Sequence, residues 1–560
     1  MEHVAPISGV ASYKNYIATT GYDNQVILWD AQTGRALARA LHDHLANQCS
    51  FSHDGTLLVS ASSDYSARIW EIPSLQLKSA LIGHTDDVDT AVFSPDDQLI
   101  ATCALDRTLK IFDLNGRCLK TMTGHTGNVL TVAWSADAKT LISSSVDGTI
   151  RHWDVASGQQ IHCTCEGART DTFEMTIDGC VYSGDDRGRI AIVNGEQTRY
   201  IAAHQAGIKK LLLNASQNLL VTISYDRSIA FWQIARADEQ LANLTEISRS
   251  TLPALIWARA AAFLDDGRIV LGTFGSCYAT FDWRQGSWDM ANIEASRSLN
   301  AVAVRGADVY AVGDAGVVFK NNTPFSETGS LCNFLLPAGD RLLTGGQMGV
   351  LFDAVSCEAL YEHHSPLNCA ASFFRQGVLH VAVGSYTGEV LVFALDSGVL
   401  RVAVDKLYEN AVKGLAANDD VLFSVCANTN VTWQSIATFE VIKVKELAHQ
   451  RIANGCCRIA DAGFASIGRD LKLQLYLGDT LESYQTPHRN SVKCIAASAD
   501  GKRIMTGSYG GTLAGFDVEA RRWVSFSRPT ASGISSLAYD PLQDRFLAGS
   551  YDGCIYPVEE

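Results

Sequence analysis

The sequence predicts an all-β chain made of about fourteen four-stranded antiparallel units of about 40 residues each. Three observations carry this. Segments recur in register: GYDNQVILWD (21–30), SSDYSARIWE (62–71), ALDRTLKIFD (104–113), SVDGTIRHWD (145–154) and SYDRSIAFWQ (224–233). Within each, apolar residues alternate with a period of two, the signature of half-buried strands. Short runs end at DG, TG and SG dipeptides, which favour tight hairpin turns.

The first element of each unit to justify is the turn. Asp23, Asp64, Asp106, Asp147 and Asp226 each stand six residues before a bulky aromatic. Weaker copies follow at DDRGRIAIVN (185–194), GTFGSCYATFDW (272–283), GSYTGEVLVF (384–393), GRDLKLQLY (468–476), GSYGGTLAGFD (507–517) and GSYDGCIYPV (549–558). Thirteen steps from Asp23 to Asp552 average 40.7 residues, so repeats account for the whole chain. A meander of this length cannot bury both faces alone. Radial stacking of such units buries them and leaves only short edges.

The Gly83-His84 and Gly124-His125 dipeptides, the turn Asp and the closing Trp-Asp or Phe-Asp pair resemble the WD-repeat family of β-propellers. The resemblance is specific over 1–233 and holds only at the level of pattern over 260–480, where His and Trp are mostly missing. It implies a buried hydrogen-bonded network in each blade. His42, Ser60, Asp64 and Trp70 fit that network, as do His125, Ser143, Asp147 and Trp153, and His204, Thr222, Asp226 and Trp232. His84 and Asp106 supply its ends in the third unit. Fourteen blades exceed the usual four to eight of one ring. Two tandem seven-bladed β-propellers of four-stranded blades are therefore expected, spanning 1–292 and 293–560, the second more degenerate. One fourth strand is unaccounted for: either the last blade has three strands, or a segment near 286–294 closes the second ring. Extra residues in 235–260 are expected as a long loop, with ADEQLANL (237–244) able to form a helical turn or two.

Composition narrows the function classes. Hydrophobic residues make up 47% and charged residues 19%, which argues against disorder, and the net charge is −15. No Lys/Arg cluster is long enough to reverse the acidic balance, so neither nucleic acid nor membrane insertion is expected. The start lacks a basic region before an apolar stretch, and the 15 cysteines show no C-x-x-C spacing. Reduced thiols, mostly buried, in a cytoplasmic protein are expected.

The chemical candidates are weak. His, Ser and Asp recur in several blades, whereas a catalytic triad is needed once and faces a pocket. No phosphate-cradling loop and no H-E-x-x-H motif occurs. His162, Cys163 and Cys165 lie too much on opposite faces of a strand for a four-ligand zinc site. His44, His363 and His364 read as surface imidazoles. No catalytic residue, metal or cofactor is expected.

What remains is surface. In the family, the residue before the turn Asp lies near the central channel on a face that often holds partners. That position gives Tyr22, Tyr225 and Phe274 in blades that become neighbours when a first ring closes, and Tyr386, Tyr509 and Tyr551 in the second. Aromatics combine contact area with little rotamer entropy, so these six are the candidate partner-binding residues. The functional expectation is a non-enzymatic cytoplasmic scaffold or adaptor for proteins or peptides, mildly favouring basic segments. Compact repeats and short loops point to a subunit of a bacterial signalling or defence assembly. The alternatives are a regulator of actin-like filaments and a propeller enzyme with a site at a channel mouth.

Overall fold

The structure, a computed structural model, describes the chain apart from residues 166–169, 196, 236–240, 292, 295–296, 397, 399, 409, 461–462 and 559–560. The described residues form thirteen four-stranded sheets and one three-stranded sheet, each an antiparallel meander in chain order. The chain divides into two compact units, 1–295 and 296–560. Seven sheets fall in each.

Burial follows strand position. Second strands are buried almost throughout, as in Leu57–Ser62 (LLVSAS) and Leu99–Ala104 (LIATCA). Their Ala, Ser and Thr side chains are small enough for neighbouring sheets to close over both faces. Fourth strands are exposed, as in Gln160–Cys165 and Gln197–Ala202. The core therefore lies between successive sheets. Val59 and Ile69 of the second sheet pack with Val88, Phe93, Ile100 and Phe112 of the third. Each such side chain contributes roughly 1.5–3 kcal/mol by leaving water.

In unit 1, the first strand of each sheet packs against the first strand of the next, and Ile7–Tyr13 packs against Ile256–Phe263 of the seventh. Ile7, Ile17, Ile27 and Trp29 share a core with Ala260, Leu264 and Val270. In unit 2 the same succession holds, and Leu299–Arg305 packs against Ile534–Asp540 of the last sheet. Leu299, Val302 and Ala311 share a core with Leu547. Glycine permits the closest approaches at both places. A Cβ on Gly272 would lie 2.5 Å from the Ile7 carbonyl oxygen, and one on Gly549 would lie 2.6 Å from Val302 Cγ2.

Of the two alternatives for the missing fourth strand the first holds: Ser287–Asp289 pairs with Ala279–Asp282 as the fourth strand of the seventh sheet, and the last sheet has three strands. Other sequence expectations need revision. Of the segment expected to form a helical turn, 237–240 lies outside the described residues. Its remainder is not helical: Asn243–Thr251 is a nine-residue strand paired to Ser228–Ala235. Alternation of small polar and apolar residues in NLTEISRST favours that extended hairpin arm. The cysteines are all free, but only six are buried and four are exposed. The exposed ones sit on outer strands or turns: Cys118, Cys163, Cys165 and Cys554. His363 is buried at 6% exposure rather than a surface imidazole.

Gly272→Val should overpack the junction of the first and seventh sheets and destabilise unit 1 by about 1–3 kcal/mol. Thermal unfolding checks this. An unchanged melting curve would show that the junction has room the glycine does not fill.

Candidate partner-binding surface

The turn between second and third strands positions every candidate residue, so what holds that turn comes first. In the second sheet, His42 Nδ1 lies 3.0 Å from Asp64 Oδ2 and His42 Nε2 lies 2.7 Å from Ser60 Oγ. Trp70 Nε1–H donates to the same Ser60 Oγ at 2.7 Å. A neutral imidazole satisfies all of these bonds. Nδ1–H donates to the carboxylate, the Ser60 hydroxyl donates to Nε2, and the indole donates to the hydroxyl oxygen. Asp64 also accepts the backbone N–H groups of Asp43 and Ser66 and the Ser66 hydroxyl. Burial alone would raise the Asp64 pKa. The His42 hydrogen bond, with those of the Ser66 hydroxyl and the Asp43 N–H, holds it well below the usual carboxylate range. Burial in turn lowers the His42 pKa and favours the neutral ring.

The same relay joins His125, Ser143, Asp147 and Trp153, and His204, Thr222, Asp226 and Trp232. His84 bonds Asp106 and Thr102, with Phe112 where the others have Trp. Sequence reasoning missed two relays. His3 bonds Asp23 and Thr19, and Trp29 Nε1–H donates to Thr19 at 2.7 Å. His449 bonds Asp470 and Ser466, with the Tyr476 hydroxyl in place of the indole. A search for His 16–18 residues before a buried Ser or Thr would have found both. It would also have found His488, which bonds Thr506 and Thr512 without a carboxylate. Ser60, Ser143 and Thr222 are fully buried, so none of these hydroxyls can meet a substrate as a nucleophile.

The turns place the first-unit candidates around two residues the sequence reading did not single out. The Tyr22 ring meets the edge of Trp257 at 5.1 Å, and Trp257 packs on Phe274 at 5.5 Å. Arg259 Nε–H donates to the Tyr225 hydroxyl at 2.9 Å, and its guanidinium lies 6.0 Å from the Trp257 ring. Both arise from a bulge: Ile256 pairs with Thr273 but Ala261 pairs with Leu271, so residues 257–260 stand out of register. Tyr225 and Phe274 are buried, at 6% and 4% exposure, and Tyr22 alone of the three is half-exposed. The expected patch of three open aromatics is therefore one half-exposed tyrosine backed by buried rings, with the half-buried Arg259 beside it. Tyr22 and Tyr225 pack against Trp257 and Arg259 of the seventh sheet, and Phe274 against Trp257 of its own sheet, which exposes less of them than the repeat position suggests.

Charge surrounds this cluster. Lys209 lies over the Tyr225 ring at 5.0 Å and pairs with Asp171 at 2.6 Å and with Asp186. The Tyr225 oxygen, outweighing burial, keeps Arg259 firmly protonated, with Tyr22, Asp171 and Asp89 adding to it. In unit 2, Tyr509 and Tyr551 stack at 6.1 Å, both half-buried. Lys493 lies 5.9 Å from the Tyr509 ring. Tyr386 stands apart from them, with Lys413 Nζ 4.9 Å from its ring centre.

Four segments, 37–71, 75–113, 116–154 and 480–517, match the sequence model described as "WD domain, G-beta repeat". The chain thus carries WD40 repeats. Each matched segment runs from the fourth strand of one sheet through the third strand of the next, and each holds one relay histidine: His42, His84, His125 or His488. The chain is similar to "Nuclear distribution protein nudF" of Emericella nidulans, 28% identical over 142 residues, 21% of this chain and 32% of that protein. It is also similar to "Autophagy-related protein 16" of Arabidopsis thaliana, 33% identical over 110 residues, 19% of this chain and 21% of that protein. A "U4/U6 small nuclear ribonucleoprotein PRP4-like protein" of Arabidopsis thaliana is 34% identical over 103 residues, 16% of this chain and 19% of that protein. The chain spans a third or less of the length of each of these relatives. No described helix is long and apolar enough to cross a membrane.

His488 yields a pH prediction. Burial lowers its pKa to about 4, while an unfolded histidine titrates near 6.5. The unfolded state therefore binds the proton first as pH falls. Stability of unit 2 is full above about pH 6.5 and lost progressively toward pH 4, by up to about 3 kcal/mol. Thermal unfolding from pH 7 to pH 4.5 checks this, and His488→Gln should flatten the slope. An equal slope in that variant would assign the pH dependence to other groups.

Proposed function

We propose that this chain is a non-enzymatic scaffold or adaptor, made of two seven-bladed propellers divided near 292–296, that binds proteins or peptides on its loop faces. The succession of first-strand contacts within each unit, from the seventh sheet back to the first, supports that grouping. The named relatives support an interaction role over the matched repeats. The observation that carries the binding site is the half-exposed Tyr22, backed by the buried Trp257 and Phe274 rings, with the half-buried Arg259 guanidinium beside them. Such mixed aromatic–arginine patches anchor interfaces because they bury large area at low entropic cost.

The same end of unit 1 carries Asp86, Asp89, Asp171 and Asp186, all half-buried in loops or at strand starts. Together with the net charge of −15 they favour a partner with a basic segment, approached by electrostatic steering. Arg259 would then take a carboxylate or carbonyl of the same partner. The second binding surface is the Tyr509–Tyr551 stack of unit 2, with Tyr386 a separate contact point. A cytoplasmic setting fits the free thiols. A bacterial assembly draws no support from the relatives named above, which are fungal and plant proteins. Among the described residues no constellation supports regulation of filaments or a channel-mouth enzyme over the scaffold reading.

Affinity purification of the tagged protein from its native cell, with mass spectrometry, tests this reading. A stoichiometric protein partner is expected, with recovery reduced about tenfold or more by Tyr22→Ala, as for a binding hot spot. Unchanged recovery in that variant would remove the unit 1 site. Absence of any protein partner would contradict the scaffold function itself.

A further inference from the structure

The tenth sheet keeps the seat of the relay histidine but none of its partners. His42 N–H bonds the carbonyl of Asn24, two residues past the preceding turn tyrosine, and His363 N–H bonds the carbonyl of Gly349 in the same way. Register fixes the other positions. Ser60 pairs with Arg68 in the second sheet, and Val383 pairs with Leu391 in the tenth. Val383 therefore replaces the relay serine, Thr387 replaces the turn aspartate, and Phe393 replaces the indole. A buried imidazole without its serine and aspartate is a polar group that has lost its reason to be there.

The lost groups are replaced by others. Glu389, two residues beyond the usual carboxylate position, projects into the same place. Its Oε2 accepts the Ser385 hydroxyl at 2.6 Å and the Thr387 hydroxyl, and among the described residues Oε1 has no hydrogen-bond donor. His364 follows His363, with ring centres 4.1 Å apart. One ring nitrogen of each histidine and one Glu389 carboxylate oxygen all lie within 4.8 Å of one another. His363 Nδ1 lies 3.2 Å from both the carbonyl and the N–H of Ser365. The tautomer protonated at Nδ1 donates to that carbonyl and leaves Nε2 bare as a ligand, the usual support for a metal-bound imidazole.

We propose that His363, His364 and Glu389 bind one divalent transition-metal ion of the zinc class. Two imidazoles and a carboxylate are the donor set such borderline ions prefer over magnesium or calcium. With metal–ligand bonds of roughly 2.0–2.2 Å, tetrahedral donors stand roughly 3.4 Å apart, so the cluster contracts by up to about 1.4 Å on binding. The His364 side chain is exposed between the buried His363 and Ser365, and its rotation supplies that movement. A fourth position is left for water or a partner's ligand. The ion would tie the 363–365 loop to the turn of the tenth sheet, the task the imidazole–aspartate bond performs elsewhere.

Zinc titration of the full chain, stripped with chelator and kept reduced, tests this by calorimetry. Wild type should bind one more equivalent than His364→Ala or Glu389→Gln, and zinc should raise the melting temperature of wild type alone. The exposed cysteines contribute equally to all three proteins and cancel in the difference. His364→Ala removes an exposed side chain and should fold normally, which circular dichroism confirms independently. Equal stoichiometry and affinity in wild type and His364→Ala would overturn the proposal.

Discussion

A carboxylate at the tip of a turn is the interaction on which the rest of this structure depends. Asp64 collects an imidazole, two backbone N–H groups and a hydroxyl, and so fixes the turn, the loop carrying His42 and the second strand through Ser60. The strand-to-strand ladder sets which residues face which, but it leaves the loop ends free. The relay removes that freedom by joining buried polar groups of the loop, the turn and the second strand in one hydrogen-bonded network. Its members come from the connection before the first strand, His42, and from the hairpin of the second and third strands, Ser60, Asp64 and Trp70. Each relay therefore locks a sheet to the connection from its predecessor, and a four-strand meander becomes a building block of defined shape.

That rigidity places the candidate binding residues. Tyr22 precedes Asp23 and Tyr225 precedes Asp226, so the anchored carboxylate sets where each tyrosine leaves the turn. The seventh sheet, without such a relay, uses a bulge to bring Trp257 and Arg259 to the same place. Arginine there makes chemical sense only beside groups that hold its charge, and Tyr225, Tyr22 and the nearby aspartates do so. The tenth sheet departs in the opposite way, keeping a histidine while its serine and aspartate have become Val383 and Thr387.

Much of this was legible in the sequence because strand alternation and turn chemistry are local. The strands around Asp23, Asp64, Asp106 and Asp147 follow from period-two patterning alone. What sequence could not give are features set by packing between sheets. His3 stands 20 residues before Asp23 and His449 stands 21 before Asp470, so a fixed spacing of 22 passes over them. The burial of Tyr225 and Phe274 depends on Arg259 and Trp257, which a bulge takes out of the alternating pattern. The extended strand Asn243–Thr251 wins over a helical turn because it continues a hairpin already paired in the sheet. Glu389 was invisible because its role comes from register rather than from any motif.

Amide hydrogen exchange on the native protein tests the central claim most directly. The N–H groups of Asp43, Thr85, Thr126, Gln205 and Gln450 lie in loops, yet each donates to a relay carboxylate. If the relay fixes the loop ends, these amides exchange as slowly as those of the buried second strands. Exchange at the rate of open loops would show that the carboxylates decorate the turns without holding them, and the account of how the binding surface is positioned would fail.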